Sequence, residues 1–200
     1  GFIQGRLLRM AKAHTTTLGV ILAAGSGSRF VAPEHKLLAS LRGKPVFSHA
    51  LQAAQEALPH VVVITGAADI SALLQGGPAV HNPDWASGQR SSVECALRYA
   101  REHAYDAVVI GLGDQPFISP EAWESLADSD GAISVATYNG ERGNPVRLHS
   151  SVWDLFFDTP GAPDEGARAL MHLHPELVRE VACKGISADI DTTEDLSKWT

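Results

Sequence analysis

The chain has 200 residues, of which 44% are hydrophobic and 20% charged, as is usual for a globular domain. A formal net charge of −7 argues against a general nucleic-acid-binding or membrane surface, and no apolar run is long enough to cross a bilayer. The only two cysteines, Cys95 and Cys183, lie far apart and in no metal-ligand spacing, so we expect reduced thiols and a cytoplasmic location.

The first 17 residues are interpreted as an N-terminal extension. Met10 is a candidate natural start, which would make Gly1 to Arg9 a remnant of expression. No repeat, low-complexity run or linker follows. We therefore expect a single domain over residues 18–200.

Apolar runs and helical spacing alternate along the first two thirds of the domain. The predicted strands are Leu18–Ala23, His60–Thr65, a weaker Ala79–His81, Ala107–Leu112 and Ala132–Thr137. The predicted helices are Pro45–Ala57, a segment near Ala68–Leu74, Gly88–His103 and Pro120–Ala127. This alternation predicts an α/β fold, a three-layer, doubly wound and mostly parallel sheet with helices on both faces.

The last third of the chain departs from that alternation. Asn139-Gly140 is a strong hairpin signal, so Val146–Leu148 is expected to run antiparallel to the strand before it. Helices are then predicted at Val152–Phe157 and Gly166–His174, and strands at Leu177–Ala182 and Ile186–Asp191. The parallel sheet is therefore expected to carry an antiparallel addition in its C-terminal part.

The first strand ends in the glycine-rich segment Ala24-Gly25-Ser26-Gly27-Ser28. Glycines let backbone amides approach a ligand, and successive amides form an anion-binding concavity. Arg29 and Lys36 add two cations, so the stretch fits a polyphosphate site. It fits a tight turn with two surface cations equally well, and the stretch alone does not decide between them.

Two familiar glycine loops fit this segment badly. A dinucleotide fingerprint needs a glycine where Phe30 stands, and no carboxylate occurs about 20 residues on to bind a ribose. A P-loop needs Gly-Lys-Ser/Thr where Phe30-Val31-Ala32 stands.

Chemistry-bearing residues follow each strand of the predicted sheet. In open parallel sheets ligands bind beyond the carboxyl ends of the strands, so these residues should meet at one edge. They comprise the glycine loop with Arg29 and Lys36, then Thr65, then Asn82, Trp85, Gly88, Ser91 and Ser92, then Asp114, and finally Asp189 and Asp191. This convergence favours a functional site over a simple turn.

Asp114 is the most specific candidate for a metal ligand, because a carboxylate just past a buried strand can bind Mg²⁺. Helix capping is the lesser alternative, since Asp114 lies too far ahead of the helix at Pro120. For Asp189 and Asp191 the metal and capping roles stay open, because Asp191-Thr-Thr-Glu-Asp also resembles a capping box. The nine histidines are scattered, and we expect no zinc site among them.

Six motifs in order resemble one family, and they run from about Leu18 to Leu196. They are Leu22-Ala-Ala-Gly-Ser-Gly-Ser-Arg-Phe with Lys36, Asn82-Pro-Asp-Trp-Ala-Ser-Gly with Ser91-Ser92, Gly111-Leu-Gly-Asp-Gln-Pro, Arg142-Gly-Asn-Pro-Val, Asp164-Glu-Gly-Ala-Arg and Asp189-Ile-Asp-Thr-Thr-Glu-Asp-Leu. The chain resembles the molybdenum cofactor cytidylyltransferases, within the molybdopterin guanylyltransferase-like nucleotidyltransferases. The resemblance implies a Rossmann-like nucleotidyltransferase fold.

The resemblance also implies CTP and molybdopterin as substrates, Mg²⁺ as the metal, and a molybdenum hydroxylase-type recipient of the product. By position, the triphosphate would be held by Ala24, Gly25, Ser26, Gly27, Arg29 and Lys36. The base and ribose would lie near Ala23, Thr65, Gly88 and Ser92, and the pterin side near Asn82, Trp85, Asn144 and Pro145. Asp114 and one of Asp189 or Asp191 would hold Mg²⁺. Ala23-Ala24, where guanylyltransferases usually have a Gly-Gly type ending, favours cytosine.

The chain departs from the family pattern at four places. The segment Val31-Ala-Pro-Glu-His lacks the usual glycine, and Gln89 replaces a usual methionine. Asn144 replaces a usual histidine, and Thr193 replaces a usual proline. The change in the loop segment and the change at Asn144 bear on substrate preference.

The reaction expected from this resemblance is attack by the terminal phosphate of molybdopterin on the α-phosphorus of CTP, with pyrophosphate leaving. Arg29, Lys36 and the metal on Asp114 would neutralise the charge that develops. Three alternatives stay open: guanylyl transfer to molybdopterin, cytidylyl transfer to a small phosphorylated metabolite, and a non-catalytic carrier of the molybdenum cofactor.

Overall fold

The computed structural model describes residues 2–200. In this part of the chain the strands are β1 (Thr17–Ala23), β2 (Ser40–Leu41), β3 (Lys44–Pro45), β4 (Val61–Thr65), β5 (Ala79–His81), β6 (Ala107–Leu112), β7 (Ile133–Tyr138), β8 (Glu141–His149) and β9 (Val178–Ala182). The helices are α1 (Phe2–Thr16), α2 (Val46–Ala57), α3 (Gln89–Glu102), α4 (Pro120–Asp128), α5 (Trp153–Asp158), α6 (Arg168–Leu173) and α7 (Thr193–Ser197). Each strongly apolar run therefore forms a strand close to its predicted bounds.

Seven of the strands form one sheet in the order β5-β4-β1-β6-β8-β7-β9. β1 pairs in parallel with both β4 and β6, and β5 pairs in parallel with β4. β8 runs antiparallel to both β6 and β7, whereas β9 is parallel to β7. The predicted fold class, a doubly wound and mostly parallel sheet with an antiparallel addition, is confirmed.

The sheet is covered by helices on both faces, which explains why its central strands are apolar throughout. Successive side chains of a strand point to opposite faces. Ile21 of β1 accordingly lies in one core cluster with Phe47 of α2 and Trp123 of α4. Val20 lies in the opposite cluster with Leu97 of α3. Full burial of such side chains is worth about 1.5–3 kcal/mol each.

The hairpin between β7 and β8 turns at the predicted dipeptide. Asn139 and Gly140 have φ values of 52° and 83°, as a type I′ turn requires at both central positions. The hairpin places β8 between β6 and β7 in the sheet. It thereby carries Arg142, Gly143 and Asn144 to the rim next to the end of β6.

Two predicted elements are wrong. The helix near Ala68–Leu74 is only a 3₁₀ turn at Ser71–Leu73, because the Asp69 carboxylate accepts the backbone N–H of Ser71 and fixes a tight local turn. The strand predicted at Ile186–Asp191 is an irregular segment.

That irregular segment crosses the ends of other strands instead of extending the sheet. The N–H of Ile190 donates to the carbonyl of Asp114 at 2.8 Å, and its side chain is fully buried beside Phe30 and Leu41. This crossing brings Asp189 and Asp191 to the edge where β1 and β6 end.

The N-terminal segment forms the helix α1, which contacts α4. His14 Nε2 lies 2.6 Å from Asp128 Oδ1, and Thr17, the last residue of the predicted extension, is the first residue of β1. The apolar side chains of Phe2, Ile3, Leu7 and Leu8 on this helix are exposed. Across residues 2–200, none of the helices combines the length and the apolar character that crossing a membrane requires.

Candidate active site

The glycine-rich loop and Asp114 emerge side by side from adjacent strands. Leu22 of β1 pairs with Leu112 of β6, and the N–H of Gly113 donates to the carbonyl of Leu22 at 2.9 Å. The two strands therefore end at the same level of the sheet. The segments that follow them form neighbouring parts of one rim.

Lys36 joins two carboxylates at this rim. Its Nζ donates to Asp114 Oδ2 at 2.9 Å and to Asp191 Oδ1 at 2.8 Å, and all three side chains are less than one fifth exposed. The other Asp191 oxygen lies 3.2 Å from Nη2 of Arg29, whose side chain is 74% exposed. The two cations predicted beside the glycine loop thus contact a predicted carboxylate directly, Arg29 at Asp191 and Lys36 at both Asp114 and Asp191.

The electrostatics of this cluster differ from group to group. Burial raises the pKa of Asp114 to about 6, although Lys36 opposes the shift. Burial would lower the pKa of Lys36, but the carboxylates of Asp114 and Asp191 raise it above its ordinary value. Burial likewise opposes ionisation of Asp191, yet its bond to Lys36 brings its pKa below the usual range. Lys36 and Asp191 are therefore a charged pair at neutral pH, and Asp114 is the carboxyl that a proton reaches first.

One oxygen of Asp114 is free. Its Oδ1 is buried and accepts no hydrogen bond from any group in residues 2–200. A buried carboxylate oxygen without a donor is costly unless a ligand satisfies it. No group of three or more His, Cys, Asp or Glu in the described chain is arranged to hold a metal ion by itself. Mg²⁺ usually takes one or two protein carboxylates and completes its shell with phosphate and water, so the free oxygen of Asp114 is a ligand of the kind that such an ion could take.

The capping alternative for the C-terminal carboxylates is resolved by α7. Thr192 is its N-cap and Asp195 completes the capping box, so neither Asp189 nor Asp191 serves as the cap. The backbone N–H of Asp191 donates to Asp195 Oδ2 at 3.0 Å. This leaves the Asp191 side chain available to Lys36 and Arg29.

A cavity of about 270 Å³ opens over this cluster. Its lining includes ten of the predicted site residues: Ala23, Ala24, Gly25, Arg29, Lys36, Trp85, Gly88, Ser92, Asp114 and Asp191. Ser26 and Gly27 line a smaller adjoining cleft of about 180 Å³ together with Arg29, Lys36 and Asp191. The amide loop, both cations and two carboxylates therefore surround one space.

A second, larger cavity of about 720 Å³ lies beside the first, and Gln89 and Leu112 line both. Of the predicted residues, Asn144 and Asp189 line it. Its walls also carry Arg142, Arg168 and His172, which the sequence analysis did not assign to the site. Two adjoining cavities give room for two substrates.

Gln115 lies in the wall of the larger cavity. Its Nε2 donates to Asp189 Oδ1 at 2.6 Å and faces the carbonyl of Ser187, which fixes the orientation of the amide. Its Oε1 is buried and accepts no hydrogen bond within residues 2–200. Because Gln115 lines the larger cavity, this oxygen suits an N–H donor on a ligand.

Three predicted site residues line neither of these cavities nor the adjoining cleft. Asn82 is buried, and its Nδ2 donates to the hydroxyls of Ser91 at 2.8 Å and Ser92 at 2.9 Å. Thr65 accepts the N–H of Asn82 at 2.7 Å through its carbonyl, and Pro145 is buried within β8. Asn82 and Thr65 thus hold in place the loop that carries Trp85 and Gly88. They do not line the cavity themselves.

Gly88 is a position where the loop accepts only glycine. Its φ is +122°, and a Cβ there would lie 2.3 Å from the carbonyl oxygen of Pro163. The N–H of Arg90 donates to the same carbonyl at 3.0 Å. The loop before α3 is therefore packed tightly against the segment that leads into the wall of the larger cavity.

Sequence reasoning missed His35, Gln89, Gln115 and Arg168 among the lining residues. Gln115 and Arg168 stand inside the quoted motifs, so the motifs could have identified them. His35 was set aside as one of many scattered histidines, although its place directly before Lys36 was a usable signal.

Comparison with known proteins agrees with this geometry. Residues 19–180 match the family described as MobA-like NTP transferase domain. The purine catabolism protein PucB of Bacillus subtilis is 31% identical over 195 residues, which cover 89% of this chain and 93% of that protein. The bifunctional protein GlmU of Roseobacter denitrificans is 30% identical over 142 residues. These cover 68% of this chain but only 31% of GlmU, so the chain spans about a third of that relative.

The fold also matches solved structures. The crystal structure of a Mycobacterium sp. strain JC1 homolog of Mycobacterium tuberculosis Rv0371c aligns with a TM-score of 0.78 and 28% sequence identity. The alignment covers 92% of this chain and 94% of that chain.

Proposed function

The chain belongs to the MobA-like NTP transferase family, and from that premise we propose that it is a Mg²⁺-dependent cytidylyltransferase that joins CMP from CTP to the terminal phosphate of molybdopterin. Residues 18–200 would form this transferase domain. The observation that carries the proposal is the contact of Lys36 with Asp114 beside the glycine loop, in the wall of the smaller cavity.

The smaller cavity is proposed to take the nucleotide. Backbone amides of residues 24–27 would bind the phosphates, with Arg29 and Lys36 as charged partners. Gly88 and Ser92 would lie near the base and ribose, since they line the same cavity. Ala23, at the end of β1, would face the base.

The larger cavity is proposed to take the acceptor. Asn144 lines it, as the resemblance implies, and Gln115 offers its unpartnered amide oxygen to an N–H of the ligand. Trp85 lines the nucleotide cavity, and because the resemblance assigns it to the pterin side, we propose that it contacts the acceptor from within that cavity. Asn82 and Pro145 would support these walls from behind.

Asp114 and Asp191 are the residues we propose to hold Mg²⁺. They share Lys36 and line one cavity, whereas Asp189 faces the acceptor side and is bound to Gln115. When bound, Mg²⁺ would supply positive charge where the α-phosphate and the departing pyrophosphate gain negative charge.

The chemistry needs alignment and charge neutralisation, and no side chain has to act as nucleophile. Lys36 would place its ammonium next to the phosphates, and its bonds to two carboxylates fix that ammonium before the substrate arrives. Holding two phosphates in line lowers the barrier by removing the entropic cost of their encounter, which can reach roughly 7–11 kcal/mol.

Pyrophosphate release tests the proposal directly. The assay would use CTP, GTP, ATP and UTP in turn, each with and without molybdopterin and Mg²⁺. We expect release only with CTP, acceptor and metal together. Release with GTP and molybdopterin would make the enzyme a guanylyltransferase. Molybdopterin binding without release from any nucleotide would instead indicate a carrier.

The product is proposed to pass to a molybdenum hydroxylase-type enzyme. The name of the Bacillus subtilis relative refers to purine catabolism. An enzyme of purine breakdown is therefore the first recipient to test, by asking whether the reaction product restores its activity after cofactor removal.

A further inference from the structure

The imidazole of His35 spans two backbone segments of the nucleotide cavity. The N–H of Leu37 donates to His35 Nδ1 at 3.1 Å, so Nδ1 carries no proton. The proton is then on Nε2, which lies 3.0 Å from the carbonyl oxygen of Gly25 and donates to it. Only the neutral ring with its proton on Nε2 makes both bonds.

The same ring closes against Gly27. This residue has a φ of +65°, and a Cβ at that position would come within 2.9 Å of His35 Nε2. The ring therefore lies against the glycine loop at two points: it bonds to the carbonyl of Gly25, and it leaves no room for a Cβ at Gly27. Any side chain at residue 27 would displace it.

Between the loop and His35 the chain is anchored at Phe30, whose side chain is buried in a core cluster with Ala39 and Leu41. Residues 31–35 form no regular secondary structure, and Val31 is 84% exposed. After His35 the backbone becomes ordered, since the N–H of Leu38 donates to the carbonyl of His35 and Leu37 is buried in the core. His35 thus joins the backbone of the loop at Gly25 directly to the backbone of the segment that bears Lys36.

We propose that His35 is a positioning residue that holds the glycine loop at a fixed distance from Lys36, so that loop amides and ammonium bind the same triphosphate together. The inference rests on the proposed nucleotide site. It concerns the spacing between two phosphate-binding elements, the loop amides and the ammonium of Lys36.

Two conservative variants distinguish the contributions of the two imidazole hydrogen bonds, one to Gly25 and one from Leu37. In His35→Gln the side-chain amide reaches as far as Nε2 and can donate to Gly25, but it loses the acceptor near Leu37. In His35→Asn the side-chain oxygen stands where Nδ1 stood and can accept from Leu37, but it does not reach Gly25. His35→Ala removes both bonds. His103→Gln is the matched control, because the exposed His103 ring also bonds a backbone carbonyl, that of Tyr99 at 2.8 Å.

The measurements are the affinity for CTP, with GTP, ATP and UTP run beside it, and the KM for each substrate in the pyrophosphate assay. For His35→Ala and His35→Asn we expect a nucleotide KM about tenfold higher, the size of one lost hydrogen bond, with the acceptor KM unchanged. We expect His35→Gln to stay within about threefold of wild type, and His103→Gln to match it.

Each other result has a definite meaning. If His35→Asn binds nucleotide as well as His35→Gln does, the tether to Gly25 is unimportant and the inference is wrong. A rise in both KM values together would indicate a general structural defect, and would also overturn it. If the wild-type protein binds none of the four nucleotides, the proposed function fails, and the inference fails with it.

Discussion

Replacing Lys36 with methionine tests the charge cluster at its centre. Methionine keeps most of the aliphatic stem but removes an ammonium that lies 2.9 Å from Asp114 and 2.8 Å from Asp191. Loss of one preorganised charged group that faces a transition state lowers kcat by about 10²–10³-fold, or about 2.7–4 kcal/mol of barrier. We expect Lys36→Met to fall in that range.

The same substitution affects stability less than the loss of a buried ion pair usually does. Removing one partner of such a pair typically costs about 3–5 kcal/mol, because the remaining charge stays unpaired. Here the pKa of Asp114 is already raised to about 6, and it rises further without Lys36. The carboxyl therefore takes up a proton near neutral pH, and we expect a loss nearer about 1–3 kcal/mol in the free energy of unfolding.

The assay is steady-state pyrophosphate release at neutral pH, with urea unfolding of the same preparations. Lys184→Met is the matched control, because Lys184 is exposed just after β9 and lines neither proposed substrate cavity. A Lys36→Met enzyme that is fully folded and turns over within about threefold of wild type would refute the assigned role of Lys36.

Three further predictions follow from the site. If Asp114 holds the metal, the affinity for Mn²⁺ should fall about tenfold between pH 7 and pH 5, since a carboxyl of pKa about 6 becomes protonated over that range; a Mn²⁺ titration that stays flat would contradict this. Gln115→Leu should raise the acceptor KM about tenfold and leave the nucleotide KM unchanged, because it removes the bond to Asp189 and the unpartnered amide oxygen from a residue that lines the larger cavity; an equal rise in both values would count against it. Gly88→Ala should lower the free energy of unfolding by about 1–3 kcal/mol in urea, since its Cβ would lie 2.3 Å from the Pro163 carbonyl oxygen; unchanged stability would show that the loop adapts.

The strands of the sheet were predictable because they are buried on both faces. The run from Leu18 to Ala23 is apolar throughout, and the structure buries every side chain of β1. The continuous apolar run in the sequence and the burial of the strand on both faces therefore both indicate a central strand. The turn at Asn139-Gly140 was predictable for a local reason, since both residues favour the positive φ that this hairpin needs.

The segments that misled the prediction are controlled by contacts far away in the sequence. Ile186–Asp191 has the composition of a strand, but its backbone bonds to the Asp114 loop and Ile190 fills a core next to Phe30. Near Ala68, helical spacing is present, yet the Asp69 carboxylate competes locally for the backbone N–H of Ser71. Neither effect is visible in hydrophobic periodicity.

The charged residues of the site were predictable from the sequence. The residues that hold the site in position were less so. The loop, Lys36 and Asp114 could be placed together because parallel strands end at one edge. The two hydrogen bonds of His35 depend on the path of an irregular loop. The roles of Asn82 and Gln115 depend on which way a buried amide points. Composition and spacing carry no such information.

The most direct test of the central claim follows the α-phosphorus of CTP. The wild-type enzyme would be incubated with Mg²⁺, molybdopterin and CTP labelled at that phosphorus, and the products separated. The account predicts that the label enters the molybdopterin product with one pyrophosphate released per transfer, and that Asp114→Asn abolishes the transfer. Label that stays in CTP, or that is released as free CMP whether or not the acceptor is present, would contradict it.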